Sequence, residues 1–139
     1  MTITNISNRY IFTFGYGNRK NYDVFLDYLK KFNIEYVIDV RTIPRAWSRQ
    51  WYGEKISDFC QKNNIKYVSK TELGNTSGNK SWIPADEKAA SKDLQEIAKI
   101  AEKSNILILC AEMNPERCHR TEVASCLENL TAIPVKHLE

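Results

Sequence analysis

The chain has 139 residues, and its 20 lysine and arginine residues against 17 aspartate and glutamate residues give a formal net charge of +3. This length is typical of one globular domain, so we treat residues 1–139 as a single domain. No apolar run approaches the ~20 residues that a membrane-spanning helix needs, and the first residues lack the features of a secretory signal. We therefore expect a cytoplasmic protein without a membrane partner, whose four cysteines are reduced thiols.

Short strand-like segments alternate along the chain with amphipathic helical ones. Strands are predicted at Tyr10–Phe14, Tyr36–Val40, Ile65–Val68, Ile106–Cys110 and Pro134–Leu138. Helices are predicted after Asn21, around Ile56–Cys60, around Leu94–Ala101 and from Asn114-Pro115 onward, with a long polar loop from Ser69 to about Pro84. Because right-handed crossovers place helices on both sides of a parallel sheet, this alternation predicts an α/β fold. We expect a single three-layer domain with a mostly parallel five-stranded sheet and helices on both faces.

Ligands bind such sheets beyond the carboxyl ends of the strands, so the loops after the first, second and fourth strands form the candidate site. The first loop, Gly15–Lys20, carries two glycines and two cations before a helix that opens at Asn21. Glycines let backbone amides approach a ligand, and a helix N-terminus favours an anion. A tight turn with two exposed cations explains the loop equally well. On the ligand-binding interpretation, the contacts come from Gly15, Tyr16, Asn18 and Arg19.

The loop after the second strand, residues 41–52, combines arginines with aromatic residues. The guanidinium groups of Arg41, Arg45 and Arg49 suit phosphate, and the interleaved tryptophans suit stacking on bases. At the carboxyl end of the preceding strand, Asp39 needs a partner or water for its carboxylate. The structural alternative is that one arginine pairs with Asp39 while the tryptophans cover the end of the sheet.

The loop after the fourth strand contains a candidate nucleophile. With Asn114 as the cap and Pro115 as the first helical residue, Cys118 falls in the first turn of a helix. The helix dipole and neighbouring cations lower the pKa of a thiol at that position. We therefore consider Cys118 as a nucleophile, with Cys110 at the end of the preceding strand as a neighbouring binding residue.

His119 and Arg120 begin the buried stripe of this helix rather than its wet face. A buried arginine needs either a carboxylate or an anionic ligand, and Asp39 and Glu112 are the carboxylates of the neighbouring loops. Arg120 is therefore either half of a structural ion pair or part of an anion-binding site.

Several known chemistries do not fit this segment. The cysteine-to-arginine spacing of tyrosine phosphatases is absent, and so are a P-loop and a serine elbow. Cys118 and His119 are adjacent and Cys110 lies eight positions earlier, which is unlike the paired spacing of zinc ligands. We therefore expect no metal and no cofactor, and we place Cys60 and Cys126 in the core.

The combination of motifs is more specific than any one of them. The motifs are Phe14–Arg19, Ile38–Arg41 with Pro44-Arg45, Leu73-Gly74, Leu109–Glu112 with Pro115, Cys118-His119-Arg120, and Val135 with His137-Leu138. Through these residues the chain resembles domain of unknown function family 488 over about residues 11–139. The resemblance implies a compact α/β domain and no established activity. This chain departs from the family pattern at Ala46, Trp47 and Asn75.

The sequence leaves three kinds of function open, and two of them use these loops. The first is an enzyme for a small anionic substrate that carries a phosphate or resembles a nucleotide. The second is a non-catalytic nucleic-acid-binding module that uses loop 41–52; a scaffold or interaction domain is a third. In the enzyme, Arg41, Arg45 and Arg120 hold the anion, Asp39 or Glu112 handles protons, and Cys118 is the nucleophile. His119 is a further catalytic candidate.

Overall fold

The computed structural model describes residues 9–77, 81–112 and 118–139. Within these ranges, strands and helices alternate along the chain. The strands are β1 (Ile11–Gly15), β2 (Tyr36–Asp39), β3 (Lys66–Ser69), β4 (Ile106–Cys110) and β5 (Val135–Leu138). The helices are α1 (Asp23–Lys31), α2 (Gly53–Lys62), α3 (Glu87–Ala101) and α4 (Arg120–Thr131), with single 3₁₀ turns at Arg49–Trp51 and Thr71–Leu73.

The sheet has five strands in the order β3-β2-β4-β1-β5, and all of its strand pairs are parallel. The predicted α/β class is thus confirmed, and the sheet is entirely rather than mostly parallel. β4 lies between β1 and β2, with Gly15 opposite Cys110 and Asp39 opposite Leu109. The loops that follow these three strands therefore meet at one edge of the sheet, which we call the carboxyl edge.

Each face of the sheet has its own hydrophobic core, because successive side chains of a strand point to opposite faces. On β4, Ile106 and Ile108 pack with residues of α3 and α4, whereas Leu107 and Leu109 pack with residues of α1 and α2. All five residues of β4 are buried, which explains why this strand is a continuous apolar run. Helices cover both faces, so the predicted three layers are present.

The segment boundaries differ from the predictions in a few places. β4 spans its predicted range, Ile106–Cys110, whereas β1 and β3 begin and end one residue later than predicted. The loop after Ser69 contains a 3₁₀ turn whose Leu73 is fully buried. α4 begins at Arg120 with His119 as its N-cap, so Cys118 lies before the helix and not in its first turn as predicted, and the predicted start at Asn114-Pro115 lies outside the described residues. Cys60 is buried as expected, but Cys126 is only partly buried. None of the described helices is long and apolar enough to cross a membrane.

Candidate functional site

The backbone ties the loops of β1 and β4 together at the carboxyl edge. Past the strand ends, the Tyr16 N–H donates to the carbonyl of Cys110 at 3.1 Å, and the Gly17 N–H donates to the carbonyl of Ala111 at 2.7 Å. A β-carbon at Gly15 would overlap the carbonyl of Glu112, so only glycine fits at this position. The first glycine of the loop therefore serves close packing against the loop after β4.

One group of polar residues lies on the α1/α2 side of this edge, and we call it the Asp39 cluster. It comprises Asp39, Arg41, Tyr16, Trp51 and Tyr67. Asp39 is fully buried, and its Oδ2 accepts hydrogen bonds from Arg41 Nη2 at 2.6 Å and from the Tyr67 hydroxyl at 2.5 Å. Its Oδ1 accepts from Arg41 Nε at 2.9 Å and from the Arg41 backbone N–H at 3.1 Å. Both carboxylate oxygens thus have protein donors.

Arg41 is as thoroughly engaged as its partner. Its side chain donates two hydrogen bonds to Asp39 through Nε and Nη2. Its Nη1 also donates to the carbonyl of Trp51 at 2.7 Å, to the Tyr16 hydroxyl at 3.1 Å and to the carbonyl of Arg45 at 3.3 Å. Burial lowers the pKa of Arg41, but the hydrogen bonds and charge of Asp39 outweigh it and raise that pKa above its ordinary value. Arg41 therefore holds the loop after β2 against the sheet.

Aromatic rings close the Asp39 cluster on its outer side. Tyr16 stacks on Trp51 with 4.8 Å between ring centroids and 9° between planes. Trp51 is 1% exposed, and its indole N–H donates to the carbonyl of Arg19 at 2.7 Å. This packing is the structural alternative stated above, in which an arginine pairs with Asp39 and a tryptophan covers the end of the sheet.

A second group lies on the α3/α4 side of the edge, and we call it the cysteine cluster. It comprises Cys110, Cys118, His119 and Arg120. His119 Nδ1 lies 3.9 Å from the sulfur of Cys110 and 4.0 Å from the sulfur of Cys118. The two sulfurs and this nitrogen all lie within 4.8 Å of one another. The three side chains are between 5% and 7% exposed, so two thiols and an imidazole meet out of bulk water.

The orientation of His119 is fixed from behind. Its Nε2 lies 2.9 Å from the carbonyl of Val40, which can only accept a hydrogen bond, so Nε2 carries a proton. In the neutral ring Nδ1 is then unprotonated and faces the two sulfurs. Burial lowers the pKa of His119, but the Cys118 sulfur and the Val40 carbonyl outweigh it, so that pKa is raised overall.

The two thiols of the cluster are inequivalent. The hydrogen bond from Cys110 is the largest cause that lowers the pKa of Cys118, and His119, the backbone N–H of Arg120 and the Arg120 charge act in the same direction. Burial opposes these effects, but the pKa of Cys118 still lies well below its ordinary value. The hydrogen bond to Cys118 and burial raise the pKa of Cys110. Cys118, which lies just before α4, is therefore the more acidic of the two thiols.

Arg120 is completely buried beside these sulfurs. Its Nη1 donates to the backbone carbonyl of Glu112, whose side chain is exposed. The nearby guanidinium also lowers the pKa of His137, second to burial in size. Arg120 thus places a fixed positive charge under the loop after β4.

An open cleft of about 1390 Å³ lies between the loops that follow β1 and β2. It reaches Ala111, the residue after β4. Arg45 is exposed in this cleft with its guanidinium 6.0 Å from the centre of the Tyr52 ring, and Trp47 is fully exposed. The residues lining the cleft are Tyr16, Gly17, Asn18, Arg19, Lys20, Ile43, Arg45, Ala46, Trp47, Ser48, Tyr52 and Ala111.

The structure thus divides the predicted site residues into three groups. Asp39 and Arg41 lie in the Asp39 cluster, together with Tyr16, which also lines the cleft. Asn18, Arg19 and Arg45 line the cleft, and the exposed Glu112 follows Ala111. Cys110, Cys118, His119 and Arg120 form the cysteine cluster, with Gly15 packed against Arg120.

Two participants were missed from the sequence. Tyr67 lies on β3 and donates a hydrogen bond to Asp39. This contact follows from the register of β2 against β3, in which Tyr67 pairs with Val37 and Ser69 pairs with Asp39. The carbonyl of Val40 holds His119, but a backbone group leaves no signal in a sequence. Both contacts depend on which strands are neighbours.

The comparisons with known proteins give a match at the level of a family. No curated protein and no solved structure matches the chain. The family model of the Domain of unknown function DUF488 matches residues 21–127, so the β1 loop and β5 lie outside the matched range. Because that range covers most of the 139 residues, the chain belongs to this family of unknown function.

Proposed function

We propose that the protein is an enzyme that binds a phosphate-bearing, nucleotide-like substrate in the cleft at the carboxyl edge. The composition of the cleft carries this proposal. Arg19, Lys20 and Arg45 contribute three positive charges, and the described residues lining the cleft include no aspartate or glutamate. A concave, positively charged surface concentrates anionic ligands.

The aromatic residues of the cleft favour a nucleotide over a simple inorganic anion. Trp47 is fully exposed, so its ring is open to a planar ligand, and the partly exposed Tyr52 ring lies under the guanidinium of Arg45. Stacking of a base on such a ring contributes about 1–3 kcal/mol per base. The same loop would thus supply Arg45 to bind the phosphate and Trp47 to stack on the base.

Cys118 is the group that we propose for the chemical step. Its sulfur accepts hydrogen bonds from Cys110 and from the first backbone N–H of α4, and His119 stands beside it. These contacts are typical of an activated cysteine nucleophile. Cys118 is not among the described residues that line the cleft, which reaches Ala111 next to Cys110, so the reacting group of the substrate would have to extend past Ala111 to meet the sulfur.

A nucleic-acid-binding module is the second candidate, and the size of the cleft favours it. Pockets for small molecules usually occupy about 300–1,000 Å³. The cleft, at about 1390 Å³, is larger and open, as expected for several nucleotides of a single strand. This function uses the same arginines and tryptophan but no catalytic cysteine.

Binding of two probes tests the proposal and separates the two candidates. Adenosine triphosphate and a fluorescent single-stranded oligonucleotide are titrated into the wild type, Arg45→Ala and Arg49→Ala. Arg49 is an exposed arginine of the same loop that does not line the cleft, so Arg49→Ala is the matched control. We expect Arg45→Ala to weaken binding of the triphosphate by about tenfold and Arg49→Ala to change it little.

The salt dependence then assigns the class of ligand. Oligonucleotide binding that is tight at low salt and falls steeply with ionic strength indicates a module that contacts several phosphates. Binding of neither probe, or equal losses in the two arginine variants, would contradict the role of the cleft.

A further inference from the structure

We propose that Cys110, Cys118 and His119 form a binding site for a thiophilic metal ion of the Zn²⁺ class. This inference concerns the cysteine cluster alone and does not rest on the function proposed for the cleft. It departs from the expectation drawn from the spacing of these residues in the sequence.

The positions of the three donor atoms suit such an ion. In tetrahedral sites, Zn–S bonds of ~2.3 Å and Zn–N bonds of ~2.0–2.1 Å place the ligand atoms about 3.5–3.8 Å apart. Here His119 Nδ1 lies 3.9 Å and 4.0 Å from the two sulfurs, and the three atoms lie within 4.8 Å of one another. The nitrogen–sulfur distances exceed the tetrahedral spacing by a few tenths of an ångström and the sulfur–sulfur distance by at most about 1 Å, so side-chain shifts of that size bring the three atoms around one ion.

The ring of His119 is also held in the orientation that a metal ligand needs. Metal-bound histidines usually donate their other ring N–H to a carbonyl or carboxylate, which fixes the ring and the tautomer. The contact of His119 Nε2 with the carbonyl of Val40, at 2.9 Å, is of this kind. It leaves Nδ1, the atom that faces the sulfurs, as the ligand.

The spacing of the three residues in the sequence differs from their spacing in the fold. Cys110 ends β4 and Cys118 and His119 immediately precede α4, and the donor atoms of all three lie close together. The familiar spacing of zinc ligands belongs to sites built on one short loop. A site built across a strand end and a helix start needs no such pair.

Charge and coordination number define the kind of ion. Two thiolates and a neutral imidazole balance a divalent ion, and sulfur ligands select soft or borderline metals over Mg²⁺ or Ca²⁺. Three protein ligands leave one tetrahedral position for water or another donor. The buried charge of Arg120 nearby favours an anionic group, such as hydroxide, in that position.

Metal binding and the nucleophilic role use the same sulfur in different states of the protein. A bound ion takes up a lone pair of the Cys118 sulfur, so the metal-loaded protein should react more slowly with alkylating reagents. In the metal-free protein that lone pair is free to react. The alkylation rate of Cys118 in the wild type therefore reports whether the ion is bound.

Cobalt provides the direct test. Reduced, chelator-treated protein is titrated with Co²⁺, and we expect one equivalent to bind with thiolate-to-cobalt charge-transfer absorption and the visible bands of tetrahedral cobalt, which Zn²⁺ then removes. Weak, octahedral-type absorption without a charge-transfer band would overturn the proposal.

Variants assign the ligands. Cys110→Ser, Cys118→Ser and His119→Gln should each weaken Zn²⁺ binding by at least ~100-fold, because even loss of an outer-shell partner costs 10–100-fold. Cys60→Ser and Cys126→Ser are the matched controls, since neither cysteine belongs to the cluster. Unchanged affinity in the three cluster variants would overturn the assignment.

A protection experiment in the wild type does not depend on the folding of any variant. We expect Zn²⁺ to slow the alkylation of Cys118 by iodoacetamide at least ~10-fold and to leave that of Cys126 unchanged. Equal alkylation of Cys118 with and without Zn²⁺ would count against the site. Arg45→Ala should bind Zn²⁺ as the wild type does, so failure of the cleft and failure of the metal site are distinguishable.

Discussion

The Asp39 cluster and the cysteine cluster lie on opposite sides of the same sheet edge, and they differ in how their charges are balanced. In the Asp39 cluster, a carboxylate and a guanidinium neutralise each other through two direct hydrogen bonds of 2.9 Å and 2.6 Å. In the cysteine cluster, a buried guanidinium lies beside two thiols whose charge depends on protonation. Polar residues that follow parallel strands can therefore have a structural or a functional role, and the partners of each residue distinguish the two roles.

The largest expected effect is on the stability of the Asp39 cluster. Arg41→Ala leaves the fully buried carboxylate of Asp39 without its countercharge, which should lower the free energy of unfolding by about 3–5 kcal/mol. Urea denaturation measures this loss. Arg45→Ala, which removes an exposed arginine of the same loop, should stay within about 0.5 kcal/mol of the wild type. Similar stabilities of the two variants would show that Arg41 does not hold the loop.

The second effect is on reactivity in the cysteine cluster. At pH 6 in the presence of a chelator, Cys118 should be alkylated by iodoacetamide at least ~10-fold faster than Cys126. The hydrogen bond from Cys110 is the largest cause that lowers the pKa of Cys118, whereas burial is the largest cause that raises the pKa of Cys126. Cys126 is the more exposed of the two, so exposure alone predicts the opposite order. Mass spectrometry of the labelled peptides identifies which thiol reacts.

The pH profile sharpens this test. Because folding lowers the pKa of Cys118, its thiolate persists below the ordinary range of cysteine and is lost only as the pH falls through the folded-state pKa. The alkylation rate of Cys118 should therefore change little between pH 8 and pH 6. A rate that drops tenfold per pH unit over that interval would indicate an ordinary thiol.

The third effect tests the packing of Gly15, at the end of β1, against the loop after β4 and Arg120. Gly15→Ala adds a β-carbon that overlaps the Glu112 carbonyl and lies 2.8 Å from Arg120 Nη1. We expect a loss of about 1–3 kcal/mol in the free energy of unfolding, together with a changed alkylation rate of Cys118. Chemical denaturation and peptide labelling of the same variant report both. A variant as stable as the wild type would show that the loop after β4 yields readily.

The smallest effect on stability is expected at an exposed tryptophan. Trp47→Ala should change the free energy of unfolding by less than about 0.5 kcal/mol, while binding of a nucleotide probe weakens. Trp51→Ala, four residues along the same loop, should cost about 3–5 kcal/mol because Trp51 is 1% exposed. Fluorescence titration and urea denaturation of both variants separate binding from packing. Loss of stability in Trp47→Ala would contradict a purely surface role.

Much of the fold could be predicted because its signals are local. The apolar run Ile106–Cys110 and the helical spacing of Leu94, Ile97, Ala98 and Ala101 depend only on neighbouring residues. Strand order is not local, since β4 enters the sheet between β1 and β2 long after both in the sequence. The class was therefore predictable and the order was not.

The candidate site shows the same limit. The alternation of residues along β2 already places Asp39 on the face opposite Ile38, and the run of β4 places Cys110 with Ile106 and Ile108. Only the register of β2 against β4 shows that these two faces are different sides of one edge. The sequence therefore indicated loops that meet at one edge of the sheet, but it did not separate the two groups of residues on the two sides of that edge.

The two hydrogen bonds that continue the β1–β4 ladder beyond Cys110 have a thermodynamic consequence. They fix Ala111, which lines the cleft on one side and is bonded to Cys110 on the other. A ligand bound in the cleft and an ion bound by the cysteine cluster would therefore lie on either side of the peptide bond between Cys110 and Ala111. If occupancy of one site changes the affinity of the other by some factor, linkage requires the reverse change to be equal. Titrating either ligand in the presence of the other would thus measure a single coupling free energy from both directions.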